Sequence, residues 1–145
     1  HMMGGILHHV ADMTRFLNPT AQSYHRLGLC KAPKYISWSN NNRSMLIRVP
    51  AASGEYRRME LRSPDCTANP YIAFALLIWA GLDGLNNKMS LPEKSNVNLY
   101  TADPRDIRDM ETLPLSLSAA MERAENSAFL RAHLPESLID YFSKH

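Results

Sequence analysis

The chain has 145 residues, 16 Lys and Arg against 14 Asp and Glu, and a formal net charge of +2. That length builds one domain with a real core, and the near-neutral balance excludes a uniformly basic nucleic-acid binder. Two cysteines, Cys30 and Cys66, form no disulfide framework and predict a reducing, cytoplasmic setting; the most apolar run, Tyr71 to Leu82, is too short to span a bilayer and predicts a buried helix.

His1-Met2 has the look of an expression-tag remnant, which leaves 3–145 as the natural portion. Gly4-Gly5-Ile6-Leu7 then opens directly into helical spacing, as expected of a chain cut from a longer one. Ile6, Leu7, Val10, Met13, Phe16 and Leu17 recur at steps of three and four, which predicts an amphipathic helix ending at Asn18-Pro19. The adjacent His8 and His9 cannot face one metal from a helix and read as solvated or core-edge residues. Thr20 to Leu27 reads as a short helical turn carrying Tyr24 and Arg26, and Gly28 to Pro33 as a loop.

Tyr35 to Ser39 predicts a strand with Ile36 and Trp38 on one face, followed by a turn at Asn40-Asn41-Asn42. Two further strands are predicted at Ser44–Val49 and Arg57–Arg62, joined by Ala51–Tyr56. In the second, Arg58, Glu60 and Arg62 share one face at intervals of roughly 7 Å, with Met59 and Leu61 on the other. Pairing of the two strands brings Arg48 beside that row, and Arg43 lies just before it, so four guanidiniums gather around one carboxylate. Spacing alone leaves two readings open. One is a solvated face of cross-strand ion pairs, the commoner case; the other is an anion or metal–phosphate site. The cluster holds five arginines (43, 48, 57, 58 and 62) and no lysine, which favours the second.

Asn69-Pro70 is a helix start, an N-cap followed by proline at the first helical position. Tyr71–Leu85 is apolar nearly all round and is expected to be the innermost helix. Asn86 to Asn98 is irregular, Asp103-Pro104 opens a short helix to Met110, and further helices are expected around Leu117–Ala124 and Pro135–Phe142. The resulting class is α+β: a small antiparallel sheet packed against several helices. No Gly-rich phosphate loop and no Cys/His zinc spacing is present, and the arginine cluster lacks the interleaved exposed aromatics of a nucleic-acid surface.

Six motifs fall in one order: Asn18-Pro19-Thr20-x-x-Ser23-Tyr24-x-Arg26-Leu27; Ala32-Pro33; Asn42-Arg43-Ser44-x-x-Ile47-Arg48-x-Pro50; Arg58-x-Glu60-x-Arg62-x-Pro64-Asp65; Asn69-Pro70-Tyr71; and Ala80-Gly81-Leu82-Asp83-Gly84. Together they resemble the C-terminal part of the catalytic domain of a bacterial type I glutamine synthetase, over nearly the whole chain. The resemblance implies an ATP-dependent glutamate–ammonia ligase working through γ-glutamyl phosphate with Mg²⁺ or Mn²⁺, cytoplasmic and homo-oligomeric (a dodecamer), with no nucleic acid or membrane as partner. It implies Glu60 as a metal ligand, Arg43 and Arg48 on the transferring phosphate, Arg48 and Arg58 on ATP, and Arg26 and Arg62 on the glutamate carboxylates.

Two departures qualify the resemblance. Lys31 stands before Ala32-Pro33, where the family's flap carries a glutamate that accepts a proton from ammonium; a lysine there would repel ammonium by up to about 4 kcal/mol at roughly 4 Å and an effective dielectric of about 20. The family's other metal ligands precede this region, so the chain alone is expected to be inactive. Asn98-Leu99-Tyr100 matches a segment whose tyrosine some members modify, but Thr101-Ala102-Asp103 differs from the residues next in line in those members, and Tyr100 reads as a surface or packing residue. A ligase acting on another amine and a non-catalytic nucleotide- or phosphate-binding paralogue stand as alternatives.

Overall fold

A computed structural model of the protein describes residues 1–29 and 31–144. Among them are seven α-helices and three short strands. The first helix, α1 (Met2–Leu17), ends where expected, because Asn18 precedes proline and its N–H turns back to the Thr14 carbonyl at 2.8 Å. His1 and Met2 take part in the fold. The His1 carbonyl accepts from Gly5 N at 3.0 Å, and the His1 ring Nδ1 bonds the Met89 carbonyl at 2.8 Å. Helix α2 (Ala21–His25) starts on a reciprocal cap, with Ser23 N donating to Thr20 Oγ1 at 3.2 Å and Thr20 N donating to Ser23 Oγ at 3.3 Å.

The innermost helix is α1, not the Tyr71–Leu85 segment. Helix α3 (Pro70–Asn86) starts on the predicted Asn69 cap, but Tyr71, Phe74 and Ile78 are 85%, 64% and 60% exposed. Its buried residues are Ala73, Leu76, Ala80, Gly81 and Gly84, mostly small, and they let the backbone of α1 come close. An ideal Cβ on Gly5 would lie 2.0 Å from the Ala80 carbonyl oxygen and 2.6 Å from Gly84 N. Burial on α1 runs round most of its circumference, from Ile6 and Leu7 through Val10, Met13 and Phe16 to Leu17. His9, expected at the core edge or in solvent, is buried: its Nε2–H donates to Asp83 Oδ2 at 2.6 Å and its ring stacks on Phe129 at 4.0 Å.

The sheet has the order β1-β2-β3. Strands β2 (Ile47–Val49) and β3 (Glu60–Leu61) pair antiparallel, as expected. Strand β1 (Trp38–Asn40) adds to β2 in parallel, which makes the sheet mixed rather than wholly antiparallel. All three strands are shorter than their sequence patterns. Tyr35 leaves the expected strand to bridge Thr112, and Asn40 joins β1, so the turn begins at Asn41 with φ 58°. Met45, Leu46 and Ile47 are all buried in succession, so this run shows no in–out alternation. A 3₁₀ turn at Gly54–Tyr56 precedes Arg57, and Arg57–Met59 stay outside the ladder, which leaves Glu60 and Leu61 as the paired part.

The remaining helices are α4 (Pro104–Ile107), α5 (Leu117–Asn126), α6 (Ala128–His133) and α7 (Glu136–Lys144). Helix α4 stops short of Met110, and α6 lies in a stretch with no predicted element; Ser127 caps it by accepting from Leu130 N. Asp12 on α1 holds this layer, accepting from Arg123 Nε at 2.8 Å and Ser127 Oγ at 2.7 Å. Arg15 completes the attachment, donating to the Phe142 carbonyl at 2.7 Å.

The contact at Gly5 has no room for a side chain. Gly5→Ala is expected to cost about 3 kcal/mol, at the upper end of overpacking substitutions, because the obstacles are backbone atoms that cannot rotate away. Urea unfolding of wild type and variant measures it; an unchanged midpoint would contradict the close α1–α3 passage.

Candidate functional site

Strands β2 and β3 place Arg48 opposite Glu60 in register. Arg48 Nη1 donates to Glu60 Oε2 at 2.9 Å and Arg58 Nε donates to Glu60 Oε1 at 3.3 Å. Arg58 and Glu60 therefore lie on one side of the chain, as alternation requires, and Met59 and Leu61 pack half-buried against the core on the other. The Arg48 hydrogen bond, with the Arg58 charge beside it, holds the Glu60 carboxyl below its ordinary range and outweighs the opposing effect of desolvation. Glu60 is ionised at neutral pH, with one carboxylate between two permanent cations.

The other arginines do not close on Glu60. Arg62 donates to the Lys31 carbonyl at 3.1 Å and more weakly to the Met45 carbonyl at 3.5 Å. Arg43 is exposed, and it lines a separate polar groove of about 560 Å³ with Asn96, Asn98 and Tyr100. Tyr100 Oη donates to the Arg43 carbonyl at 3.4 Å, a long bond that joins these two residues rather than joining Arg43 to Glu60. Among the described residues, then, two guanidiniums and not four bond the Glu60 carboxylate. The turn between Asn40 and Met45 carries Arg43 away from the row: Asn42 Oδ1 accepts from Ser44 N and Oγ, which fixes the chain before β2 begins.

Lys31 takes a left-handed conformation, φ 67°, with an exposed side chain. That region disfavours a β-carbon. The bond from Arg62 to the Lys31 carbonyl, and the bridge between Leu27 and Ala32, hold the loop beside the end of β3. Cys30, in the same loop, lies outside the described residues; Cys66 is a free, exposed thiol.

Arg26 sits among partners that the sequence pattern did not single out as site residues. Its Nε donates to Asp65 Oδ2 at 3.2 Å, and its Nη2 donates to Asn18 Oδ1 at 2.7 Å and to the Ser63 carbonyl. Asp65, 39 positions away in sequence, was visible only as the end of a strand motif, because no local spacing links it to Arg26. Burial alone would raise the Asp65 carboxyl. Bonds from Thr67 N and Oγ1, from Ser23 and the charge of Arg26 outweigh it and bring it down to about 2. Asn18 Nδ2, Ser63 Oγ, Tyr24 Oη and Arg48 Nε are buried without a hydrogen-bond partner among the described residues.

On the other side of β3 lies a cavity of about 690 Å³ walled by Ile47, Met59, Leu61, Phe74 and Ile78. Its walls are mostly apolar, with Glu60 and Asp65 the acidic residues in its lining, so the candidate site is the arginine face that Glu60 joins rather than the body of this cavity. Among the described residues no group of three His, Cys, Asp or Glu side chains is placed to hold a metal. The described residues therefore offer no metal centre complete in itself, and Glu60 contributes a single carboxylate. No helix among the described residues is long and apolar enough to cross a membrane.

The sequence and the fold match one family. The model described as "Glutamine synthetase, catalytic domain" covers residues 1–145, and the chain belongs to that family. Glutamine synthetase of Methanosarcina mazei is 42% identical over 146 residues, covering 98% of this chain and 32% of the relative. That of Thermotoga maritima is 42% identical over 146 residues, covering 98% of this chain and 33% of the relative. The chain thus spans about a third of the length of these curated relatives. Among solved structures, the "GmaS/ADP complex" in its first conformation superposes with a TM-score of 0.84 at 32% identity, covering 99% of this chain and 33% of that one. GmaS without ligand gives 0.83 at 33% identity, covering 99% and 32%.

Asp65 makes stability depend on acid pH. Its folded-state value of about 2 lies below the ordinary 3.8, so between those values the unfolded chain binds the proton and the folded chain does not. Stability is fully present above that window and is lost as pH falls through it. The urea midpoint is expected to drop from about pH 5 to about pH 2, and Asp65→Asn to remove part of that drop. An equally steep drop in the variant would assign it entirely to other carboxylates such as Asp83, which its hydrogen bond from His9 also holds low.

Proposed function

We propose that the chain is the C-terminal catalytic region of a type I, ATP-dependent glutamate–ammonia ligase that forms glutamine through γ-glutamyl phosphate. The observation that carries this is the ionised Glu60 on β3 held between Arg48 on β2 and Arg58 just before β3, with Arg62 anchored just after β3. Phosphoryl transfer is governed by positioning and by positive charge around the moving group. Arg48 and Arg43 serve the transferring phosphoryl group, Arg48 and Arg58 the nucleotide, and Arg26 and Arg62 the glutamate carboxylates. The ADP in the GmaS complex supports a nucleotide on this fold. Glu60 supplies one ligand to Mg²⁺ or Mn²⁺, which when bound neutralises phosphate charge; the other ligands come from outside these residues. The full-length protein is a cytoplasmic homo-oligomer in this reading, and no step of the reaction is completed by the chain alone.

The test is direct. The full-length protein is expected to form glutamine from glutamate, ammonia and ATP, and the 145-residue chain to form none. Turnover by the chain alone would show that it needs no ligand from elsewhere, and no turnover by the full-length protein would overturn the ligase reading.

A second reading, a family member acting on another amine or a non-catalytic paralogue, is favoured by Lys31. A protonated lysine cannot accept a proton, and its backbone is held beside Arg62, next to the proposed site. In the full-length protein Lys31→Glu is expected to raise ammonia-dependent turnover, on a scale bounded by the roughly 10²–10⁴-fold contribution of a general base, with ATP binding nearly unchanged. Steady-state kinetics with ammonia varied at saturating ATP and glutamate decide it. Equal or lower turnover in the variant would remove Lys31 from the proton-accepting position.

A further inference from the structure

We infer that Asp65 is a positioning residue: with Asn18 and Ser63 it fixes the Arg26 guanidinium so that Nη1 is the nitrogen presented to a carboxylate ligand. The inference rests on the reading of Arg26 as a glutamate-carboxylate ligand and adds the residues that orient it.

A guanidinium has five N–H bonds in one plane, one on Nε and two on each Nη. Nε is taken by Asp65 Oδ2 at 3.2 Å, and the two bonds on Nη2 are taken by Asn18 Oδ1 at 2.7 Å and the Ser63 carbonyl. Three acceptors on one edge and one end leave no freedom to rotate the plane. Among the described residues Nη1 has no acceptor, and the side chain keeps 27% of its surface exposed. What remains is a charged pair of N–H bonds with fixed direction, suited to an oxygen of a carboxylate. Arg62 comes from the residue just before Ser63 and is anchored in turn on Lys31 and Met45, so the two arginines are held by one short stretch of chain.

The clamp is not arranged for stability alone. Asn18 and Ser63 are almost wholly buried, yet among the described residues Asn18 Nδ2 and Ser63 Oγ have no partner. Buried polar atoms left unsatisfied cost stability, and apolar packing in their place would avoid that cost. Asp65 also divides its work between its two oxygens: Oδ1 accepts from Thr67 N and Oγ1, both at 2.8 Å, and Oδ2 accepts from Arg26. The turn and the clamp can therefore be broken separately.

Asp65→Asn keeps an oxygen for the turn but sets an amide donor against Arg26 Nε, and Thr67→Val weakens the turn without touching Arg26. In the full-length protein, Asp65→Asn is expected to raise the glutamate KM about 10–100-fold, the usual effect of losing the group that orients a ligand, while the ATP KM stays within about twofold. Thr67→Val is expected to leave both near wild type. Asp65→Glu, which keeps the charge, is expected to show a smaller rise, and it carries the test if Asp65→Asn does not fold. An unchanged glutamate KM in the Asp65 variant used, or an equal rise in Thr67→Val, would overturn the inference. If wild type forms no glutamine, the ligase reading fails instead. Calorimetric titration of wild type and the Asp65 variant with L-glutamate then reads the clamp: weaker binding by the variant supports it, and equal binding or none to either protein overturns it.

Discussion

The close passage of α1 against α3 is the constraint on which the rest of the fold depends. Gly5 and Gly84 meet backbone to backbone, and Ala80 contributes its carbonyl to the same contact. Only with the two helices this near can His9 reach Asp83, and only then can α1 bury residues around most of its surface. The sheet packs against this pair through Leu46, Ile47 and Leu61, and α5–α7 cover it from another side through Ala120, Ala124, Leu130 and Ile139. Removing room at Gly5 would thus act on several layers at once.

On this frame the site is an electrostatic arrangement of little intrinsic strength. Exposed Arg–Glu pairs contribute little to stability, and Arg58 is half-exposed. What sets Glu60 apart is Arg48, whose side chain is mostly covered and whose Nε is buried with no partner among the described residues. Burying such a group unpaired is unfavourable, so the arrangement is better suited to holding charge in place than to holding strands together. Arg26 obeys the same logic at the other end of β3, with an ionised Asp65 as its fixed counter-charge.

Helices with regular apolar spacing or strong caps were legible in the sequence. The spacing from Ile6 to Leu17 and the proline after Asn18 located α1, and Asn69-Pro70 located the start of α3. Their relative depth was not legible. The large residues of α3 suggested a central helix, whereas its small residues decided which side was buried; composition reports apolarity but not which apolar face finds a partner. In the sheet, alternation placed Arg58 and Glu60 together and put Arg48 within reach. It failed at Leu46, because a strand buried on both faces shows no alternation, and it had no means of predicting that a parallel β1 would join across so short a link. Arg43 was misplaced relative to Glu60 because side-chain bonds within the Asn42 turn redirect the chain. The partners of Arg26 were not legible because they come from two segments, Asn18 and Ser63–Asp65, that no local spacing links to it.

Asp12 and Arg15 bind partners at the far end of the chain. Arg123 is 111 positions from Asp12, Ser127 is 115, and Phe142 is 127 from Arg15. Contacts of such long sequence separation close large loops and slow folding. During synthesis at about 5–20 residues per second, α1 would emerge roughly 6–25 s before the segment that covers its outer side. Over that interval the side of α1 that α5–α7 finally cover lacks those partners, which leaves apolar surface there open to a chaperone.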